Sequence, residues 1–153
     1  EAFAEKKHSQ RRSTEKEHSM TDTIASGAIH HVRLTVTDVE RSRQFYTKLL
    51  GFDVLVELPP GVLLTNGSVL VGIGPPPNPE RAIDGDRFSE NRVGLDHLSF
   101  SVSDRGELEK AALLLDKHKV ERGEITDLGE GFGIYILAFR DPDNIQLELT
   151  APY

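Results

Sequence analysis

Apolar and polar side chains alternate along the chain from residue 31. Val32, Leu34 and Val36 fall on one face of an extended run, and His31, Arg33 and Thr35 on the other, because successive strand residues point to opposite sides. The run ends at Asp38, a good helix N-cap. Phe45, Tyr46, Leu49 and Leu50 follow at helical spacing until Gly51 closes the helix. Three strand-like runs come next, at 52–57 (FDVLVE), 61–65 (GVLLT) and 68–73 (SVLVGI), the last two joined by an Asn66-Gly67 hairpin turn.

The same order returns 66 residues later, where His30 to Leu50 lie in register over Asp96 to Asp116. Leu98, Phe100 and Val102 oppose His97, Ser99 and Ser101. Asp104 caps a second helix, Glu107 completes a capping box, and Leu108, Ala111, Ala112 and Leu115 form the buried stripe. Runs at 120–125 (VERGEI), 132–139 (FGIYILAF) and 145–150 (IQLELT) complete the copy, with a DPDN turn from Asp141. In the last run Ile145, Leu147 and Leu149 oppose Gln146, Glu148 and Thr150. Each copy reads βαβββ, which predicts an α+β protein of two tandem modules, 28–76 and 95–152. A linker rich in Pro, Gly and charge, 77–94, joins them within one domain, 28–153.

Composition narrows the chemistry. Residues 1–27 carry five basic and five acidic side chains and little that is apolar, so they cannot build a core. The only methionine, Met20, makes 1–19 a candidate extension or expression scar, and His8 and His18 are read as solvated. The net charge of -7 therefore belongs to the remainder of the 153 residues. An acidic surface repels phosphate backbones and anionic lipid, so neither nucleic acid nor a membrane is expected as a partner. No apolar run approaches the roughly 20 residues of a membrane span, and the apolar core of a signal peptide is missing. With no cysteine, the chain has no disulfide or thiolate chemistry, and a reducing cytoplasm is the expected location. Any metal must be held by His, Asp, Glu or backbone oxygen.

Two histidines at equivalent repeat positions, His31 and His97, and a terminal-strand carboxylate, Glu148, make up the inventory of a 2-His-1-carboxylate site. Such a site fills three positions around Fe2+, Mn2+, Zn2+ or Ni2+ and leaves others open. Arg33, Ser99 and Gln146 share the same polar faces and are candidate substrate contacts. His30 alternates to the opposite side and is read as structural, as is Arg140 before the DPDN turn. His118 is expected to interact with the C-terminal end of its helix. Neither Glu57 nor Tyr135 can be assigned as a general base.

Across residues 28–152 the chain resembles the vicinal oxygen chelate superfamily, which includes glyoxalase I, bleomycin-resistance proteins, fosfomycin-resistance transferases and extradiol dioxygenases. The resemblance rests on HHVRLTVTDVERSRQFYTKLLGF, GLDHLSFSV and FRDPDNIQLEL. It implies two modules whose curled mixed sheets form a cleft with a divalent metal on its floor, ligands at His31, His97 and Glu148, and a homodimer. The metal would act as a Lewis acid on neighbouring oxygens of a small-molecule substrate.

Departures from the family pattern restrict the activity. Gly72 stands where glyoxalase I and methylmalonyl-CoA epimerase have a further ligand. Ala138 stands where fosfomycin transferases and extradiol dioxygenases place a tyrosine, and DLGEGFGIYI lacks the extradiol acid-base histidine. Bleomycin-resistance proteins have lost the ligands that this chain retains. The expected function is a metal-dependent lyase, isomerase or dioxygenase. The alternative is a protein of the bleomycin-resistance type that sequesters a small molecule such as an antibiotic.

Overall fold

In the computed structural model, which describes residues 23–153, the first alternating run becomes β1 (Val32–Thr35). Met20, His8 and His18 lie outside the described residues. Asp38 caps α1 (Val39–Gln44), accepting from the Arg41 N–H at 3.0 Å. The helix then widens into a π-helical segment, Phe45–Leu49, and stops where Gly51 takes φ 70°, a left-handed conformation that glycine adopts without a Cβ clash. The Phe52 N–H returns to the Tyr46 carbonyl at 3.0 Å. β2 (Asp53–Leu58), β3 (Gly61–Thr65) and β4 (Leu70–Gly74) follow, with Asn66 Oδ1 accepting from the Ser68 and Val69 N–H groups in the β3–β4 turn. The sheet order is β1-β4-β3-β2, with β1 and β4 parallel and the other pairs antiparallel.

The second module repeats this plan with β5 (Leu98–Ser101), α2 (Arg105–Lys117), β6 (Thr126–Asp127), β7 (Ile134–Arg140) and β8 (Gln146–Pro152), in the order β5-β8-β7-β6. Asp104 caps α2 by accepting from the Glu107 N–H at 3.1 Å. The Glu107 carboxylate turns to Lys110 Nζ, at 2.5 Å, rather than back to the cap. His118 ends the helix through its backbone N–H, which donates to the Leu114 carbonyl at 3.1 Å.

One predicted strand is not continuous. Residues 120–125 touch β7 only through the Gly123 N–H to Ala138 and the Glu121 carbonyl to Arg140, and regular pairing starts at Thr126. Arg122 explains the break. Its guanidinium grips Asp116 with two bonds of 2.8 and 2.7 Å and also donates to the Gly123 carbonyl, which ties the segment to α2 instead of the sheet.

The modules share one core. Leu34, Val36, Tyr46, Val71 and Ile73 from the first and Leu108, Leu115, Leu137, Phe139 and Leu147 from the second belong to a single buried cluster. The Phe52 and Phe100 rings meet edge to face at 5.7 Å across the junction. The DPDN turn reinforces it. Asp143, buried, accepts from the Thr37 hydroxyl at 2.5 Å and N–H at 3.1 Å and from Arg41 at 3.1 Å, while the Tyr46 hydroxyl donates to Asp141 at 3.2 Å. The linker joins in, since Arg140 holds Glu90 through bonds of 2.7 and 3.0 Å. That guanidinium holds the Glu90 carboxyl down at about 2. Arg140 thus has the structural role its sequence position suggests.

Because each sheet gives its apolar face to the shared core, strand alternation turns both polar faces away from it. No helix among the described residues is long and apolar enough to cross a membrane.

Candidate functional site

The second module gathers most of the candidate chemistry on one polar face. Ser99 pairs with Glu148 in the parallel β5–β8 ladder, and Ala138 faces Glu148 from β7. Glu148 is largely shielded, with 13% of its side chain exposed, and its Oε1 lies 3.9 Å from His97 Nε2. The other imidazole nitrogen, Nδ1, lies 2.7 Å from Asp96 Oδ1. An ionised carboxylate only accepts hydrogen bonds, so this contact puts a proton on Nδ1, and Nε2 is the nitrogen through which the ring can offer a lone pair to a metal. Around the pair, the Thr150 hydroxyl donates to Glu148 Oε1 at 3.1 Å and shares a 2.5 Å contact with the Ser99 hydroxyl. Gln146 Nε2 donates to Asp96 at 3.3 Å.

Nε2 of His97 and Oε1 of Glu148 fit as two donors to one cation. Their separation is within twice the about 2.0–2.2 Å of an imidazole or carboxylate bond to a metal, and a second carboxylate on the far imidazole nitrogen is a common orienting device in metal sites. Asp96, which orients the ring, was not among the sequence candidates. Its signal was available: Asp96 precedes His97 as His30 precedes His31 in the repeat.

His31 lies in the first module, and among the described residues no three His, Asp or Glu side chains come together in one metal-binding group. Its ring Nδ1 sits 2.9 Å from the Nδ1 of His30. Both imidazoles line the same cleft, so His30 does not point to the opposite side. The reason is local: both residues precede β1, where strand alternation does not yet hold.

This cleft, about 660 Å3, opens over the polar face of the first sheet, between apolar walls that include Leu58, Leu63, Leu70 and Pro75. Arg33 lines it too and pairs with Gly72 in the β1–β4 ladder. The register makes Gly72 the counterpart of Glu148, so the first module has no side chain where the second has its carboxylate. The structure therefore brings together His97, Ser99, Gln146 and Glu148 on one face, and His31 and Arg33 on another.

Neither weak base candidate is available. Glu57 is held by Arg43, with bonds of 2.5 and 3.2 Å. Tyr135 stacks on Tyr153 at 4.8 Å and lies under the Arg105 guanidinium at 5.1 Å.

Residues 28–149 match the Glyoxalase/Bleomycin resistance protein/Dioxygenase superfamily, and the chain belongs to it. The Bacillus subtilis protein YwkD, itself uncharacterized, is 32% identical over 132 residues, 80% of this chain and 94% of YwkD. The metallothiol transferase FosB of Staphylococcus epidermidis is 28% identical over 123 residues, 79% of this chain and 81% of FosB. Among solved structures, a glyoxylase/bleomycin resistance protein/dioxygenase domain from Frankia sp. EAN1pec superposes with a TM-score of 0.66. It is 30% identical, over 84% of this chain and 94% of that one.

Proposed function

We propose that the protein is a metal-dependent enzyme acting on a small oxygen-bearing molecule, with its site assembled from two copies of the chain. The carrying observation is the His97–Glu148 pair. Nε2 and Oε1 face each other at 3.9 Å with no hydrogen bond between them, an arrangement that a shared cation would stabilise by drawing an electron pair from each. His31 supplies the third donor from a second copy, because within one chain it does not join His97 and Glu148 in a metal-binding group among the described residues. β1 and β5 are edge strands in their sheets, so the face that carries His31 can meet the partner's His97 and the partner's Glu148 in a two-fold dimer.

Fe2+, Mn2+, Zn2+ and Ni2+ all suit this donor set. When bound, the ion supplies Lewis acidity toward a carbonyl, enolate or catecholate oxygen, as a lyase, isomerase or dioxygenase reaction requires. The chain's residues do the rest. Asp96 fixes the His97 tautomer and ring, Thr150 orients Glu148, and Ser99 and Gln146 donate hydrogen bonds to substrate from the same face. The metallothiol transferase relative supports metal-centred chemistry on this frame. Ala138 beside Glu148 argues for a different reaction from that of the fosfomycin transferases.

Metal titration of the full chain tests the reading. Wild type should bind one divalent ion per protomer, and His31→Ala, His97→Ala and Glu148→Ala should each abolish stoichiometric binding. Mixing His31→Ala with His97→Ala subunits should then restore about a quarter of the sites, since a mixed dimer keeps one intact site of two. Full metal binding by the single variants, or no recovery on mixing, sinks the composite site. Tight small-molecule binding by a protein that takes up no metal would instead support sequestration.

A further inference from the structure

The geometry points to Arg33 as the receptor for an oxyanion on the substrate, a carboxylate or phosphonate attached to an apolar body. The assignment rests on the first-module cleft being the substrate side of the proposed site.

Two strand glycines make a trough for this side chain. A Cβ at Gly74 would sit 2.5 Å from Arg33 Nη2 and 3.3 Å from its Cζ, and a Cβ at Gly72 would sit 3.5 Å from its Cγ. The stem therefore lies over Gly72 at ordinary contact distance, and the guanidinium lies so close over Gly74, at the end of β4, that a Cβ there would displace it.

The guanidinium is anchored but not neutralised. Nη2 donates to the Pro75 carbonyl at 3.2 Å and Nη1 reaches the Thr35 hydroxyl at 3.4 Å. Arg41, Arg43, Arg122 and Arg140 each hold a carboxylate. Arg33 has no such partner among the described residues, and part of its five-donor fork stays free for a bidentate anion.

The surroundings define the rest of the ligand. Prolines 60, 75, 76, 77 and 79 line the cleft and bring no backbone N–H, so they offer an anion no donors. Arg33 is the one permanently charged residue among the lining side chains. Leu58, Leu63 and Leu70 suit an apolar body. The chain's charge of -7 opposes anions in general, so any preference for one must arise locally.

Calorimetry on the metal-free full chain, with phenylacetate, benzylphosphonate and uncharged phenylacetamide, tests this. Wild type should bind at least one of the two anions about tenfold more tightly than the amide, as expected for a charge-assisted fork. Arg33→Met should equalise anion and amide, Arg33→Lys should retain part of the preference, and Gly74→Ala, which displaces the guanidinium, should lower it severalfold. Equal binding of anion and amide by wild type, failure of both anions to bind, or a preference that survives Arg33→Met overturns the assignment. Metal titration of Arg33→Met should match wild type, so a failed metal site and a failed anion receptor give separate readouts.

Discussion

The two modules have the same strand order, the same helix cap and the same ladder register, yet they finish their polar faces in opposite ways. In the second, Asp96 holds His97, and Ser99 and Thr150 hold Glu148, two hydrogen-bonded groups that meet at the 3.9 Å gap between His97 and Glu148. In the first, the position of Glu148 is Gly72, the position of Ser99 is Arg33, and two imidazoles touch each other. The repeated backbone therefore preserves where a side chain can stand while leaving free what it does. On the proposed reading, one face holds two of the cation's donors and the other adds the third beside an anion receptor.

The largest test asks whether the modules are independent despite this division. Tyr46, fully buried in the shared core, also donates to Asp141 across the junction. Tyr46→Ala should cost about 3–5 kcal/mol and lower a single urea transition monitored by both near-UV and far-UV circular dichroism. Separate transitions for the two modules would show that the junction does not couple them.

Asp141 gives the next effect. Burial, with the charge of Asp143, raises its carboxyl from 3.8 to about 6, against the lowering effect of its N–H and Tyr46 hydroxyl donors. The folded state thus favours the protonated form. Its stabilising contribution is complete below pH 3.8 and is lost as pH rises through about 6, a change of about 3 kcal/mol. Asp141→Asn should remove that slope from urea stability measured between pH 4 and 7. An unchanged slope would assign it to other groups.

Orienting groups come third. Asp96→Ala should weaken metal binding about 10–100-fold, while His30→Ala, which removes an imidazole instead of a carboxylate, should do less; competition against a fluorescent chelator measures both. Equal losses would mean that the two modules orient their histidines alike. The smallest effect belongs to Gly72→Ala. Its Cβ would make an ordinary 3.5 Å contact with Arg33, so thermal unfolding should shift by no more than about 0.5 kcal/mol equivalent.

Local signals carried most of the fold. Period-two alternation, Asp38 and Asp104 as caps, and Gly51 as a stop all describe neighbours in the chain, and each has its counterpart in the structure. They failed where a distant partner competed. Residues 120–125 look like a strand until Asp116 captures Arg122. His30 escapes the alternation, which begins only at Val32. At the candidate site, the register of Ser99 with Glu148 followed from the repeat, but Asp96 went unseen because its role depends on the direction of one imidazole nitrogen.

By itself, the sequence determined the duplicated βαβββ frame, its family and the donor types available, because periodicity, caps and repeat register are properties of adjacent residues. Only the tertiary structure decided how the modules face one another. Apolar area is buried most effectively when both sheets share one core, and that packing leaves His31 and Arg33 in the cleft of the first sheet and His97 with Glu148 on the second, with no three of the candidate donors together among the described residues.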